Sequence, residues 1–325
     1  MNSVISIPDN ITPEWLSDIL QEDVISIRMR HEGSNWSSQV PLTVEFRGGR
    51  TVALRVKICL GPTFGRSEVD YYTRDYVDMA DAPIVKCWNA AFDNKVGYHL
   101  VLDDLAETHS NRRNVSPSLP YGLAVAKALG RLHKHHWQSH SVPSQRALDR
   151  YFQEFRPGIA ALKDIAGQDL SDIAFEVETR LRFRLSDERG MTLLHGDLNP
   201  MNILTPKGDD SPVFFIDRQP FDWSLTYALA IHDLAYFLVL WWPEEMRMAH
   251  EAEIIRCWHR EVGDSSYEWP QAIADWKIAV GQCVHVPLEW CSKPDTAEKM
   301  RWLWELQLGR VLSAMESANN ITDVG

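Results

Sequence analysis

The chain has 325 residues, 45% of them hydrophobic and 24% charged, a soluble globular composition at a length that favours two lobes over one compact domain. Its formal net charge of −12 excludes broad, sequence-independent nucleic-acid binding, which needs a basic surface. Five cysteines (Cys59, Cys87, Cys257, Cys283, Cys291) form no CxxC pair, which excludes a disulfide framework or a structural zinc site.

Residues 10 to 22 predict a short amphipathic helix, with Thr12 as N-cap, Pro13 at the first helical position, and Trp15, Leu16, Ile19 and Leu20 on one face. The start, MNSVISIPDNITPEW, has neither the basic nor the apolar stretch of a secretory leader, and no run of about 18 apolar residues follows. A cytoplasmic chain with no membrane contact is the expectation. From Val24 to Lys57 the runs VISIRM, VPLTVEF and TVALRVKI alternate apolar and polar residues between Gly33-Ser34-Asn35 and Gly48-Gly49, as antiparallel strands and hairpins do. A helical period then covers 67 to 79, with Val69, Tyr72, Tyr76 and Met79 on one stripe. Two more strands are expected at Ile84 to Trp88 and Gly97 to Leu102.

The polar, Pro-bearing segment NRRNVSPSLP reads as a connection, and a lobe boundary is placed between 105 and 106. Beyond it the texture is helical, at 121 to 137, 171 to 186, 228 to 242, 244 to 262 and 268 to 315. One interruption, LLHGDLNPMNIL followed by VFFID, looks like a small hairpin among helices. A strand-rich lobe (1 to 105) and a helical lobe (106 to 325) make an α+β two-lobe architecture, whose cleft is the default ligand site.

That interruption carries the chemistry. His195-Gly196-Asp197 is followed by Asn202, five positions after the aspartate, and by Asp217 at the end of an apolar strand. HGD alone, or an Asn five residues after an Asp, is ordinary turn chemistry; the combination is much rarer. Phosphoryl transfer needs a magnesium ion bridging phosphates, one or two protein oxygen ligands for it, and a group that orients the nucleophilic hydroxyl. Asn202 and Asp217 suit the metal, and Asp197 suits the hydroxyl proton.

HGDxxxxN with an Ile-Asp strand end resembles the aminoglycoside phosphotransferase and choline kinase superfamily, which shares the protein-kinase-like fold. The runs LGRLHKHHW, HGDLNPMNIL and FIDRQ followed by IHDLAYFL are most similar to its ecdysteroid-kinase-like branch. The resemblance covers residues 120 to 240 well and implies ATP and Mg2+ as cofactors. Asp197 then corresponds to the catalytic base, Asn202 and Asp217 to the metal ligands, His195 to a residue shaping the loop, and Asp233 to a buried acid bonding the loop backbone. Arg218 departs from protein kinases, which carry Phe and Gly after the metal Asp; this favours a small-molecule kinase.

In the strand-rich lobe the resemblance implies a lysine for the phosphates and an acid that holds it. Lys57 and Glu68 stand at those places, with Arg55 a rival for the lysine because strand alternation points it the same way. Ser34 and Asn35 sit where a phosphate-covering loop belongs. Backbone groups around Leu102 and Asp103 are expected to pair with the adenine edge. The His133 to His136 run reads as a partly solvated helix end, since consecutive helical residues fan around the axis.

For the acceptor hydroxyl, wall candidates are Asp222, Trp223, Trp241, Trp242, Trp290 and Trp304 with Glu244, Glu245 and Glu289; most of these Trp read as core. The acceptor expected is a small-molecule alcohol: an antibiotic, a sterol-like compound or another secondary metabolite. A nucleotide-binding scaffold without turnover is the alternative, disfavoured because Lys57, Glu68, Asp197, Asn202 and Asp217 are all present. A metallohydrolase on His195, Asp197 and Asp217 leaves Lys57 and Glu68 unexplained.

Overall fold

The computed structural model describes residues 3–30, 32–33, 37–166 and 168–318. In chain order these form α1 (Pro13–Leu20), β1 (Val24–Met29), β2 (Glu32–Gly33), β3 (Ser38–Phe46), β4 (Thr51–Leu60), α2 (Ser67–Asp70), β5 (Cys87–Asp93), β6 (Gly97–Asp103) and β7 (His109–Asn111). There follow α3 (Leu119–His135), α4 (Gln145–Gln153), α5 (Arg156–Ala166), α6 (Gln168–Arg184), β8 (Met191–Leu193), β9 (Ile203–Pro206), β10 (Phe214–Phe215) and β11 (Tyr227–Leu229). The remainder is α7 (Ile231–Trp241), α8 (Glu244–Val262), α9 (Trp269–Gln282), α10 (His285–Cys291), α11 (Pro294–Lys299) and α12 (Arg301–Ser317). Two compact units result. One comprises the chain up to Asn111 with Leu204–Asp209 and Phe214–Asp222; the other comprises Arg112–Ile203, Asp210–Val213 and the chain from Trp223.

In the strand-rich unit the Thr12 hydroxyl accepts the Trp15 N–H at 3.2 Å and Pro13 opens α1, so the helix starts where an orphan donor is satisfied. The sheet runs β1-β3-β4-β6-β5, with β2 on β3, and these neighbours pair antiparallel. Leu54, Val56 and Ile58 of β4 join Leu42, Val44 and Phe46 of β3 in a core that also takes in Leu16 of α1. The period of two turns Arg55 and Lys57 to the opposite face. The helix expected over 67 to 79 is shorter: after α2 the chain makes one wider π-helical turn, Tyr71–Asp75, and stops. Val69, Tyr72 and Tyr76 of its predicted stripe are buried nonetheless. The strand expected at Ile84 to Trp88 instead runs from Cys87 to Asp93; Ile84 forms an isolated parallel bridge to Phe215, and the Phe215 N–H donates to Pro83 O at 2.8 Å.

β9 and β10 lie side by side, as the expected hairpin does, with β7 as a third strand on β9. In the helical unit β8 pairs antiparallel with β11. α7 is mostly apolar and buried on every side from Ile231 to Leu240, which makes it the central helix, packed against α8, α9 and α12. α3 packs on α8 closely because Gly122 has no side chain: a Cβ there would lie 2.4 Å from Ile254 Cδ1. The region 268 to 315, expected as one helix, is four, with Pro294 opening α11. Among the described residues no helix is long and apolar enough to cross a membrane. A small antiparallel-sheet unit and a large helical unit make the α+β, protein-kinase-like architecture.

Candidate active site

The candidate residues fall into two clusters, one in each unit. In the strand-rich unit Lys57 is 6% exposed and its ammonium donates to both Glu68 oxygens, at 2.8 and 2.7 Å, and to Asp217 Oδ1 at 3.0 Å. Burial alone pulls the ammonium down, but the carboxylates of Asp217 and Glu68 outweigh it and hold Lys57 above its ordinary value. Glu68 is fully buried in the first turn of α2, and the Tyr98 hydroxyl also donates to it. Asp217 follows β10 in the left-handed region, φ 60°, a conformation that aspartate tolerates better than most residues. Its side chain is 36% exposed.

Arg55, the rival for Lys57, turns instead to Glu32 at 3.0 Å and Asp104 at 3.1 Å near the surface. The Asp103 N–H donates to Lys86 O at 3.0 Å, and its carboxylate accepts the Trp88 indole N–H at 2.6 Å. Leu102 is laddered opposite Arg55 of β4 and Cys87 of β5. The Asp103 amide is thus already committed within the sheet, which removes it from the groups that could meet an adenine edge. Ser34 and Asn35 lie outside the described residues.

In the helical unit the turn His195 to Asn202 is held from beneath by Asp233. Its Oδ2 accepts the His195 N–H at 2.7 Å and its Oδ1 the Gly196 N–H at 2.8 Å. Gly196, at φ 78°, supplies a backbone conformation that side chains resist. His133 Nε2 lies 3.1 Å from Asp233 Oδ2, while His133 Nδ1 accepts the Trp258 indole N–H at 3.1 Å. Indole only donates, so the His133 proton sits on Nε2 and points at Asp233. Burial opposes charge on Asp233, and His133, His195 and the Gly196 amide outweigh it, holding the carboxyl below its ordinary range. The solvated-end reading of His133 to His136 therefore fails at His133, which is fully buried. The helix turns that one imidazole inward, and the sequence run shows no sign of which one.

Asp197 sits in a cage of donors. Its Oδ1 accepts the Tyr236 hydroxyl at 2.7 Å and Asn199 Nδ2 at 2.9 Å; its Oδ2 accepts Asn202 Nδ2 at 3.0 Å. Asn202 Nδ2 also donates to Asp197 O at 2.9 Å, closing the loop on itself. Tyr236 and Asn199 were not singled out from the sequence. Asp233 and Tyr236 stand three apart on α7, so they share a helix face; that spacing is the signal which could have found Tyr236. Burial, then the Asp197 charge, push the Tyr236 phenol well above its ordinary value, so it stays protonated and donates.

Glu289 is half-buried on α10, and its carboxyl is pushed up to about 7, by burial first and by the Asp197 charge second. Half-buried Trp223 meets Phe155 edge-on at 5.8 Å, and Phe155 stacks on His285 at 4.4 Å. Trp242 and Trp304, by contrast, are core: Trp242 packs edge-on against Phe237 at 5.6 Å, and the Trp304 indole donates to Ala297 O at 2.8 Å. Glu244 and Glu245 are exposed at the start of α8.

Among the described residues no three His, Cys, Asp or Glu side chains gather as a metal cluster. Asp217, in the strand-rich unit, and Asn202, in the helical unit, each carry a side-chain oxygen of the hard type that magnesium binds.

A sequence profile of the phosphotransferase enzyme family matches residues 90–269, more than half of the chain. None of the curated proteins compared matches the sequence. The fold is similar to a putative fructosamine-3-kinase from Thermobifida fusca, at a TM-score of 0.51 and 15% identity over 93% of this chain and 98% of that one. It is also similar to a microcompartment-associated aminopropanol kinase, at a TM-score of 0.52 and 13% identity over 94% and 98%. With the loop from His195 to Asn202 and Asp217 inside the matched region, the chain belongs to the phosphotransferase enzyme family, as a small-molecule kinase.

Proposed function

We propose that the protein transfers the γ-phosphoryl group of ATP, as its magnesium complex, to a hydroxyl of a small molecule, with Asp197 as the base. The observation that carries this is the donor cage around the Asp197 carboxylate. Tyr236, Asn199 and Asn202 fix both oxygens, which is what a group that must meet one hydroxyl proton in one geometry needs. Lys57, held charged by Glu68, is the cation for the α- and β-phosphates, and Asp217 and Asn202 are the metal ligands. Bound magnesium supplies neutralisation of the charge on the phosphates.

Asp197 receives the hydroxyl proton as the acceptor oxygen bonds to the γ-phosphorus and the bond to the bridging oxygen breaks, releasing ADP. Asp233 holds the loop backbone so that the carboxylate does not swing. Ser34 and Asn35 are proposed to cover the phosphates, and Leu102 with the chain just after Asp103 to meet the base. For the acceptor we propose an alcohol with apolar or aromatic surface, against Trp223 and the Phe155 ring, with Glu289 beside the reacting hydroxyl. Assignment to the ecdysteroid-kinase-like branch is proposed from the runs LGRLHKHHW, HGDLNPMNIL and FIDRQ with IHDLAYFL.

The test is a thermal-shift screen with ATP and magnesium, followed by acceptor libraries assayed for ADP release. Asp197→Ala is expected to abolish turnover and keep nucleotide affinity. Binding of Mg–ATP with no turnover on any alcohol would favour the scaffold reading; joint collapse of affinity and turnover in the variant would remove Asp197 as base.

A further inference from the structure

Arg218 directly follows Asp217 and is 2% exposed, an unusual place for a guanidinium. Its Nη1 donates to Asp75 Oδ2 at 2.6 Å, and more distantly to Ser67 O at 3.4 Å. The guanidinium carbon lies 5.6 Å from the centre of the Tyr71 ring. Asp75, itself 4% exposed, also takes Arg74 at 2.8 Å from its outer side. Burial opposes charge on Asp75 and the guanidinium of Arg218 outweighs it, so the pair is ionised.

Ser67 opens α2 and Asp75 ends the π-helical turn that continues it, so Arg218 reaches both ends of one short helical segment. Glu68, in the first turn of that segment, is tied through Lys57 to Asp217. Two adjacent residues, 217 and 218, therefore grip the same helix by two routes and close a ring: Asp217, Lys57, Glu68, the helix, Asp75, Arg218. A buried ion pair is weak evidence for stability, since an apolar pair of similar volume often does as well or better. What an ion pair supplies is a fixed geometry, and here the fixed residue is next to Asp217, whose left-handed backbone persists only while its surroundings hold it.

We propose that Arg218 is a positioning residue for Asp217. Its ion pair with Asp75 fixes the backbone turn that presents the Asp217 carboxylate and locks that turn to the helix bearing Glu68, so that Lys57, Glu68 and Asp217 stay assembled as one array. This rests on the proposed roles of Asp217 in metal binding and Lys57 in phosphate binding.

The experiment separates positioning from stability with four variants: R218K, R218M, D75N and the apolar double variant D75L/R218M. Three readouts are taken: equilibrium unfolding, ATP affinity by tryptophan fluorescence with and without Mg2+, and hydrogen exchange of amides 67–76. The double variant is expected to recover the stability lost in R218M and D75N, because neither charge is left alone. It is expected not to recover the magnesium-dependent gain in ATP affinity, which falls about tenfold or more in R218M, D75N and the double variant, and less in R218K. Exchange at 67–76 rises in the same three variants.

A double variant as stable as the parent that keeps the full magnesium gain and unchanged protection at 67–76 would show Arg218 to be a packing residue only. If the parent protein itself shows no magnesium-dependent ATP affinity, the proposed function fails, and hydrogen exchange decides this inference alone: raised exchange in the stable double variant supports the lock, and unchanged exchange overturns it.

Discussion

The Tyr236 hydroxyl donates to the Asp197 carboxylate at 2.7 Å from the helix whose Asp233 holds the backbone of the same loop. One rigid, fully buried helix thus sets both the position of the loop and the direction of the carboxylate at its tip. Tyr236→Phe keeps the ring and removes the donor. Turnover is expected to fall about tenfold, the equivalent of one net hydrogen bond, with ATP affinity unchanged. Steady-state kinetics with a binding titration checks this; equal losses in both would mean that the phenol merely supports the fold.

Lys57 and Arg55 differ by two positions on one face of β4 and should respond very differently. Lys57→Ala leaves Glu68 buried without its cation, and is expected to cost about 3 kcal/mol of unfolding free energy along with nucleotide affinity. Arg55→Ala breaks bonds near the surface and should cost about 1 kcal/mol or less. Urea denaturation of both variants gives the comparison, and the reverse order would reinstate Arg55.

Asp233 fixes a pH dependence. Its carboxyl is lower in the folded chain than its ordinary value of 3.8, so its contribution is fully present above that value and is lost as pH falls through the folded one. Asp233→Asn is expected to destabilise the protein at neutral pH by about 3 kcal/mol and to flatten the acid limb of the stability curve. Unfolding measured from pH 7 down to 3 tests this; a parallel acid limb in the variant would place the titration elsewhere.

Glu289 acts in the opposite sense. Its ordinary value of 4.5 is raised to about 7, so between these values the folded chain keeps a proton that the unfolded chain has lost. Stability falls across this window as pH rises, and the full cost is reached above about 7. Glu289→Gln, with no charge to bury, is expected to be more stable than the parent protein at pH 8 and equal to it near pH 4.5. Denaturation midpoints at the two pH values decide it.

The strand-rich unit was legible because its cues are local. Alternation in VPLTVEF and TVALRVKI set β3 and β4, and Thr12-Pro13 set the start of α1. The last helices were less so: Pro294 in the polar run SKPDTAEK marks the start of α11, but the break at Cys283 lies in a run, Val280 to Leu288, whose helical texture continues on both sides. The loop from His195 to Asn202 was readable from residue types alone, since spacing five residues apart within one turn is a local matter.

By itself, the sequence determined which residue types are available for phosphoryl transfer and in what chain order they come, because turn chemistry, strand alternation and a five-residue spacing act over a few residues. The tertiary structure alone decided that Lys57 rather than Arg55 meets Glu68 and Asp217, that Tyr236 reaches Asp197, and that His133 is the inward imidazole of its run. Each of these is a contact between residues 11 to 160 positions apart. Such contacts form only when burial of whole helix and sheet faces brings distant segments together, and no local pattern of residues encodes their partners.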